Sequence, residues 1–398
     1  MESVFWRSRI TMTEITRDRG YTPDIAIPPG ETLLEAIKAL GMSQTELAQR
    51  MGRPLKTINE IIKGKAAITP QTATELERVL GTPARFWLRL EMDYQEALAR
   101  LEDRETLEKE KPLLKRFPYA EMAKKGWVVS TRRWEEKIRS LRTFLGVASL
   151  ATLPNVEVAA YRKARKVEAS PEALSVWLRR GELLAQEMDI APFAKTGFRE
   201  ALQEICRLTR GPLKTAIVKM VELCAENGVA VVFVPHLPGT YVNGAARWMK
   251  SDRALIQLSI RNRFEDIFWF TFFHECGHIL LHGKRAFFID VDEDAQSAKE
   301  KEADDFARDL LIPRSAFRRF TARDSFNDSC VRAFAKKIEI SEAVVVGRLQ
   351  HEKLVPFASI LNSLKRTLDW EQHIPNIQSW GGRLGDCQSA YGVKGAKE

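Results

Sequence analysis

From Glu31 to Leu98 the chain reads "ETLLEAIKALGMSQTELAQRMGRPLKTINEIIKGKAAITPQTATELERVLGTPARFWLRLEMDYQEAL", a helical pattern interrupted by a cap or a glycine at nearly every junction. Gly41 closes the first helix, Ser43 and Glu46 make a capping box for the second, and Gly52 marks its end. A third helix is expected from about Pro54 to Lys63, with Ile58, Ile61 and Ile62 facing inward and Lys56, Asn59, Glu60 and Lys63 forming a polar stripe. Thr69-Pro70 and Thr82-Pro83 each pair an N-cap with a first-turn proline, which starts two further helices and closes a compact five-helix domain.

Beyond it, "LEDRETLEKEKPLLKRF" from Leu101 alternates charges on a helical pattern and reads as a solvated connecting helix broken at Pro112. "RRWEEKIRSLRTFLG" and "PEALSVWLRRGELLAQEM" continue a helical middle region that carries no motif with chemistry of its own. The pattern then changes. "GVAVVFVPH" from Gly228 and "RALIQLSI" from Arg253 are strands, joined through "YVNGAARWMKSD", and a sheet here either offers an edge to an extended peptide or only packs its neighbours. Helices follow, ending with "SEAVVVGRLQHEKLV", whose His351 is read as a surface residue. The tail "SWGGRLGDCQSAYGVKGAKE" is glycine-rich and expected to be mobile. The fold class is therefore mainly α with a small β-sheet (α+β), divided into an arm (1–30), an all-α domain (31–100), a helical connection (101–210), an α+β domain (211–362) and a tail (363–398).

The α+β part holds the chemistry. In "FHECGHILLHG", His274 and His278 leave one face of a helix whose Ile267, Phe268, Phe272, Ile279 and Leu280 bury it, and two imidazoles at that spacing can grip one ion. Glu275, one position on, points to the side where an open coordination position would hold water. Two histidines and a carboxylate leave Zn²⁺ with net positive charge, which brings the pKa of bound water to roughly 7. Glu275 would take that proton and pass it to a leaving amine. In "KEKEADDFARDLLIP", Ala303, Phe306, Ala307, Leu310 and Leu311 make an apolar face that lays a second helix on the first. Glu302 opens that face and is the expected third ligand, although periodicity leaves Glu300, Asp304 and Asp305 open. His282, directly before Gly283, is expected at the helix terminus rather than on the ion, and Cys276 is expected to be packed.

The third helix of the first domain has its own chemistry. Two short helices joined by a tight glycine turn, the second carrying basic and amide side chains, suit a recognition helix in the major groove; the alternative is an ordinary solvated face. Arg53, Lys56 and Lys63 are expected on phosphates and Asn59 on adenine, with Ser43, Gln44 and Thr57 beside them, while Glu60 repels phosphate and fits only a base edge such as cytosine N4.

A formal net charge of +9 and a pI near 9.3 agree with an anionic partner but do not decide for one. Cys206, Cys224, Cys276, Cys330 and Cys387 form no close pair and are expected to be reduced thiols rather than a disulfide framework. "DVDED" from Asp290 lacks the glycine and distal glutamate of a calcium loop and reads as a solvated loop. No apolar run has membrane length and the amino terminus lacks a signal-type apolar region, so a cytoplasmic protein with no membrane partner is expected.

"FFHECGHILLH", "EADDFARDLLIP" downstream and "GAARWMKSDRALIQLS" upstream resemble the ImmA/IrrE family of zinc metallopeptidases, over roughly Gly211 to Asn362. That resemblance implies a zincin-like α+β domain, zinc on His274, His278 and Glu302, Glu275 as catalytic base, and the cleavage or control of a transcriptional repressor. "TINEIIKGKAAITP" and "LERVLGTPARFWLRLE" resemble Cro/cI-type helix-turn-helix proteins, the HigA-like antitoxins in particular, over about Asp24 to Arg100. This implies a homodimer on double-stranded, palindromic operator DNA and a toxin partner. The expected function is a DNA-binding regulator with a fused zinc peptidase acting on a repressor, a toxin or itself. The alternative is a non-catalytic antitoxin or partner-binding protein in which zinc is structural or a sensor's ligand.

Overall fold

A computed structural model describes residues 25–153, 170–283, 293–322 and 325–374. The chain falls into two units, Met1–Lys109 and Glu110–Glu398.

In the first unit, helices α1 (Pro29–Ala39), α2 (Gln44–Met51), α3 (Leu55–Ile62), α4 (Pro70–Leu80) and α5 (Ala84–Glu110) follow the punctuation read from the sequence. Ser43 Oγ accepts the Glu46 N–H at 3.1 Å, Thr69 caps α4, and Gly41, Gly52 and Gly81 turn the chain at positive φ. Helices of eight residues such as α2 and α3 do not persist alone, so packing holds them. Leu33, Leu47, Ile58, Leu76 and Trp87 are each wholly buried, which contributes about 1.5–3 kcal/mol per large aliphatic side chain. Gly30 is required where α1 meets α3, because a Cβ there would stand 2.3 Å from Ile61 O and Ile62 Cα.

The second unit begins with the short helix α6 (Tyr119–Lys124), α7 (Trp134–Leu145), α8 (Pro171–Gln186), α9 (Lys195–Leu208) and α10 (Leu213–Glu226). Its sheet contains β1 (Val229–Phe233), β2 (Gly244–Lys250) and β3 (Arg253–Leu258) in the order β1-β3-β2. β1 runs parallel to β3, with Val229 opposite Ala254, and is buried along its length beneath α8 and α10, as its unbroken Val/Ala/Phe run requires. β2 lies antiparallel on the other side of β3 and turns into it through Ser251 and Asp252, pairing Lys250 with Arg253. This strand occupies the segment read only as a joining loop. "GAARWMK" has one aromatic, no β-branched residue and no apolar alternation, so its pairing comes from the hairpin rather than from propensity.

Helices α11 (Glu265–Leu281), α12 (Glu293–Leu311), α13 (Arg314–Thr321), α14 (Asp328–Ile338), α15 (Glu342–His351) and α16 (Trp370–His373) complete the unit. α11 is buried nearly all round, against β2, β3, α12 and α15. Its amino-terminal end is tied by residues beyond Asn362. Arg366 donates to the wholly buried Glu265 at 2.7 Å, Lys365 to Asp266 at 2.5 Å, and Phe264 bridges to Thr367. The packed fold thus runs past the expected boundary at Asn362. The acidic run from Asp290 begins in 284–292, and that stretch, Cys387 and the rest of the tail after Ile374 lie outside the described residues. Among the described residues no helix is long and apolar enough to cross a membrane.

Candidate metal centre and recognition helix

The α11–α12 crossing is close because its contact residues are small: a Cβ on Gly277 would stand 3.1 Å from Ala303 Cα. The approach brings α12 over the face from which His274 and His278 project, with ring centroids 4.7 Å apart. Their Nε2 atoms are 3.0 Å from each other, and the Glu300 carboxylate reaches both, Oε2 to His274 at 3.3 Å and Oε1 to His278 at 3.4 Å. Two bonds of about 2.0–2.1 Å opened at the tetrahedral angle separate ligand atoms by about 3.4 Å, so the spacing fits a zinc-sized cation. Burial lowers the pKa of His278 to about 4 and keeps it neutral, the form that offers a lone pair to a metal.

Glu302 is not at this cluster. Its side chain is 63% exposed and its Oε2 lies 3.3 Å from His282 Nε2, so the carboxylate brought to the two histidines is that of Glu300 rather than the expected Glu302. The reason is helical phase. Ala303, Ala307 and Leu311 form the most buried line of α12, and extending it backwards passes through Glu300, whereas Glu302 continues the outer line of Phe306 and Leu310. Of the other acids, Asp304 bonds His274 Nδ1 at 2.8 Å and Asp305 pairs with Arg308. His282 is the C-cap of α11, its N–H donating to His278 O at 3.2 Å, and its Nδ1 lies 3.0 Å from His278 Nδ1. Asp304 and His282 thus contact the outer nitrogens of the paired histidines, a role the sequence reading did not assign; the signal for Asp304 was its position four residues after Glu300.

Glu275 is 1% exposed and lies under the first residue of β2, where a Cβ on Gly244 would stand 2.9 Å from its Oε1. A cleft of about 820 Å³ opens beside His274 and Glu300, lined by Phe270, Leu311, Val344 and His351 among others. His351 is exposed and stacks on Phe270 at 6.5 Å between centroids. Cys276 is wholly buried, and burial raises its thiol pKa well above the ordinary value, as it does for Cys206 and Cys224, so these thiols are packing groups.

On α3, Lys56 is exposed at 84% of its side chain and stands 3.8 Å from Glu60. Leu55, Lys56, Asn59, Glu60, Lys63 and Lys65 line one groove; Lys65, just after the helix, was not read from the sequence. Ser43 is engaged as the α2 N-cap, while Gln44 and Thr57 are half-buried. Arg53 is directed elsewhere. Its guanidinium holds Glu75 through two nitrogens with both side chains largely covered, a structural pair in place of the expected phosphate contact.

A five-helix all-α domain thus precedes an α+β domain in which two histidines and a carboxylate converge. Residues 33–87 match the helix-turn-helix family and residues 250–350 match the IrrE N-terminal-like domain, a peptidase family. The uncharacterized HTH-type transcriptional regulator YddM of Escherichia coli is 35% identical over 63 residues, 16% of this chain and 67% of that protein. Virulence-associated protein I of Dichelobacter nodosus is 37% identical over 75 residues, 19% of this chain and 69% of the relative. A solved HigA-family addiction module antidote protein from Coxiella burnetii is 35% identical, covering 21% of this chain and 94% of that one, with a TM-score of 0.20. A putative antidote protein of a plasmid maintenance system from Nostoc punctiforme is 30% identical over 21% of this chain and 91% of its own, also at 0.20. The chain belongs to the helix-turn-helix family through its first unit, and residues 250–350 of its second match the IrrE N-terminal-like domain.

Proposed function

We propose that the protein is an antitoxin-like transcriptional regulator whose second unit is a zinc-dependent peptidase acting on a repressor, a toxin or the chain itself. The observation that carries the enzymatic part is the convergence of His274, His278 and Glu300 beside a buried Glu275. Zinc held by those three side chains would supply Lewis-acid polarisation of the scissile carbonyl and acidify water. Glu275 is the general base, taking the proton of the attacking water and returning it to the leaving amine. β2 is an edge strand of the sheet, so an extended peptide pairing along it passes in front of Glu275. The apolar side chains of the cleft receive a large apolar residue of that peptide.

The DNA-binding part is supported by the family match and by the polar stripe of α3 and its C-cap, where Lys56 and Lys63 are exposed and Asn59 is half-buried. Lys56 and Lys63 neutralise phosphate, Asn59 reads a base edge and a homodimer spans two half-sites of operator DNA. The resemblance of "TINEIIKGKAAITP" and "LERVLGTPARFWLRLE" to HigA-like antitoxins supports a toxin partner for this chain as well.

The decisive experiment incubates the purified chain with the proteins encoded beside it, in parallel with Glu275→Gln. Fragments that appear with the parent, fall about 10²–10⁴-fold in rate with Glu275→Gln and leave its metal content unchanged support hydrolysis. Equal fragments from both proteins, or full biological activity of Glu275→Gln without any fragment, would establish a non-catalytic zinc domain.

A further inference from the structure

The exposed acid on α12 and the histidine that ends α11 have a role in the metal site without touching the ion. His278 presents Nε2 to Glu300 and His274, so with a cation there its remaining proton must sit on Nδ1. That Nδ1 faces His282 Nδ1 at 3.0 Å, which makes the His282 nitrogen the acceptor. Neutral His282 then carries its proton on Nε2, and that atom faces Glu302 Oε2 at 3.3 Å. Every donor meets an acceptor along the line from His278 through His282 to Glu302, in one direction. His274 has the shorter version, with Asp304 directly on its Nδ1 at 2.8 Å. The two histidines are therefore oriented unequally, one by a carboxylate and the other by a carboxylate acting through a second imidazole.

We infer that His282 and Glu302 form an outer relay that fixes the tautomer and ring orientation of His278 for binding a divalent cation. The inference rests on the metal site proposed above. Both are positioning residues: neither touches the ion, and Glu302 acts only through His282. Outer partners of ligating histidines are worth about 10–100-fold in metal affinity. A relay also predicts strict non-additivity, since removing Glu302 has nothing left to disturb once His282 is gone.

The test measures Zn²⁺ affinity of the full chain by competition with a chromogenic chelator, and the Co²⁺ absorption spectrum, for the parent, Glu302→Ala, His282→Ala, the double variant and His282→Asn. Circular dichroism confirms that each is folded. Glu302→Ala and His282→Ala should each weaken Zn²⁺ by about 10–100-fold and shift the Co²⁺ bands, and the double variant should be no weaker than His282→Ala within about threefold. His282→Asn, whose amide oxygen can accept from His278 Nδ1, should recover most of the loss. Unchanged affinity in both single variants, or losses that multiply in the double variant, would overturn the relay while leaving the metal site intact. Complete loss of metal in Glu302→Ala whatever stands at 282 would make Glu302 a ligand and also overturn it. A parent chain that takes up no Zn²⁺ would overturn the metal reading itself, and the relay with it.

Discussion

Replacing Arg366 by Met tests how α11 is held. Glu265, the first residue of that helix, is wholly buried and receives the Arg366 guanidinium through Nε at 2.7 Å and through Nη2. The same guanidinium donates to Gly211 O at 2.6 Å and Thr209 O at 2.8 Å, joining α11 to the end of α9 and the start of α10. Removing one partner of a buried pair costs about 3–5 kcal/mol, because a desolvated carboxylate is left without its counter-charge. Two carbonyls losing a donor add about 1–3 kcal/mol each when fully enclosed. Arg366 is 39% exposed at its side chain, so water replaces part of this, and we expect about 3–5 kcal/mol in all. Against a domain stability of about 5–15 kcal/mol the loss is large. Urea unfolding of the full chain, followed by far-ultraviolet circular dichroism and by protease sensitivity of the second unit, reads it directly. Adding Glu265→Gln to Arg366→Met should recover part of the loss, since no charge then remains buried. A loss below about 1 kcal/mol, or no recovery in the double variant, would refute the reasoning.

The first unit supplies further tests. The hydrogen bond from Arg53 holds the Glu75 carboxyl below the usual carboxylate range, so the pair's stabilisation, about 0.5–1 kcal/mol for partly exposed groups, is present above about pH 4–5 and is lost as pH falls through the lowered folded value. Glu75→Gln should therefore flatten the acid limb of a stability titration of that unit. Gly30→Ala should cost about 1–3 kcal/mol in thermal or urea unfolding, because its Cβ meets the α3 backbone at 2.3 Å and no side chain can rotate away. Lys56→Ala should weaken DNA binding uniformly and reduce the salt slope by about 1, whereas Asn59→Ala should relax preference at one base pair.

Local chemistry was legible in the sequence wherever it determines structure by itself. Caps and positive-φ glycines fixed the helix ends of the first unit, and His274 with His278 announced themselves because a four-residue spacing on one helix is enough to bring them together. Glu300 was hidden by a tie. Glu302 is followed by Phe306 and Leu310 and Glu300 by Ala303, Ala307 and Leu311; both lines are apolar as letters, and only the close α11–α12 crossing decides between them. Its trace in the sequence is size: Gly277, Ala303 and Ala307 are small because the helices nearly touch there. Arg53 looked like a phosphate contact because its partner Glu75 lies on another helix. β2 left almost no mark, since a two-residue turn rather than β-propensity sets it against β3.

Metal analysis of the native full chain, with Glu300→Ala and Glu302→Ala alongside, addresses the central claim most directly. We expect about one zinc per chain in the parent, near-complete loss in Glu300→Ala, and retention with weakened affinity in Glu302→Ala. No zinc in the parent, or zinc kept by Glu300→Ala and lost by Glu302→Ala, would contradict the site described.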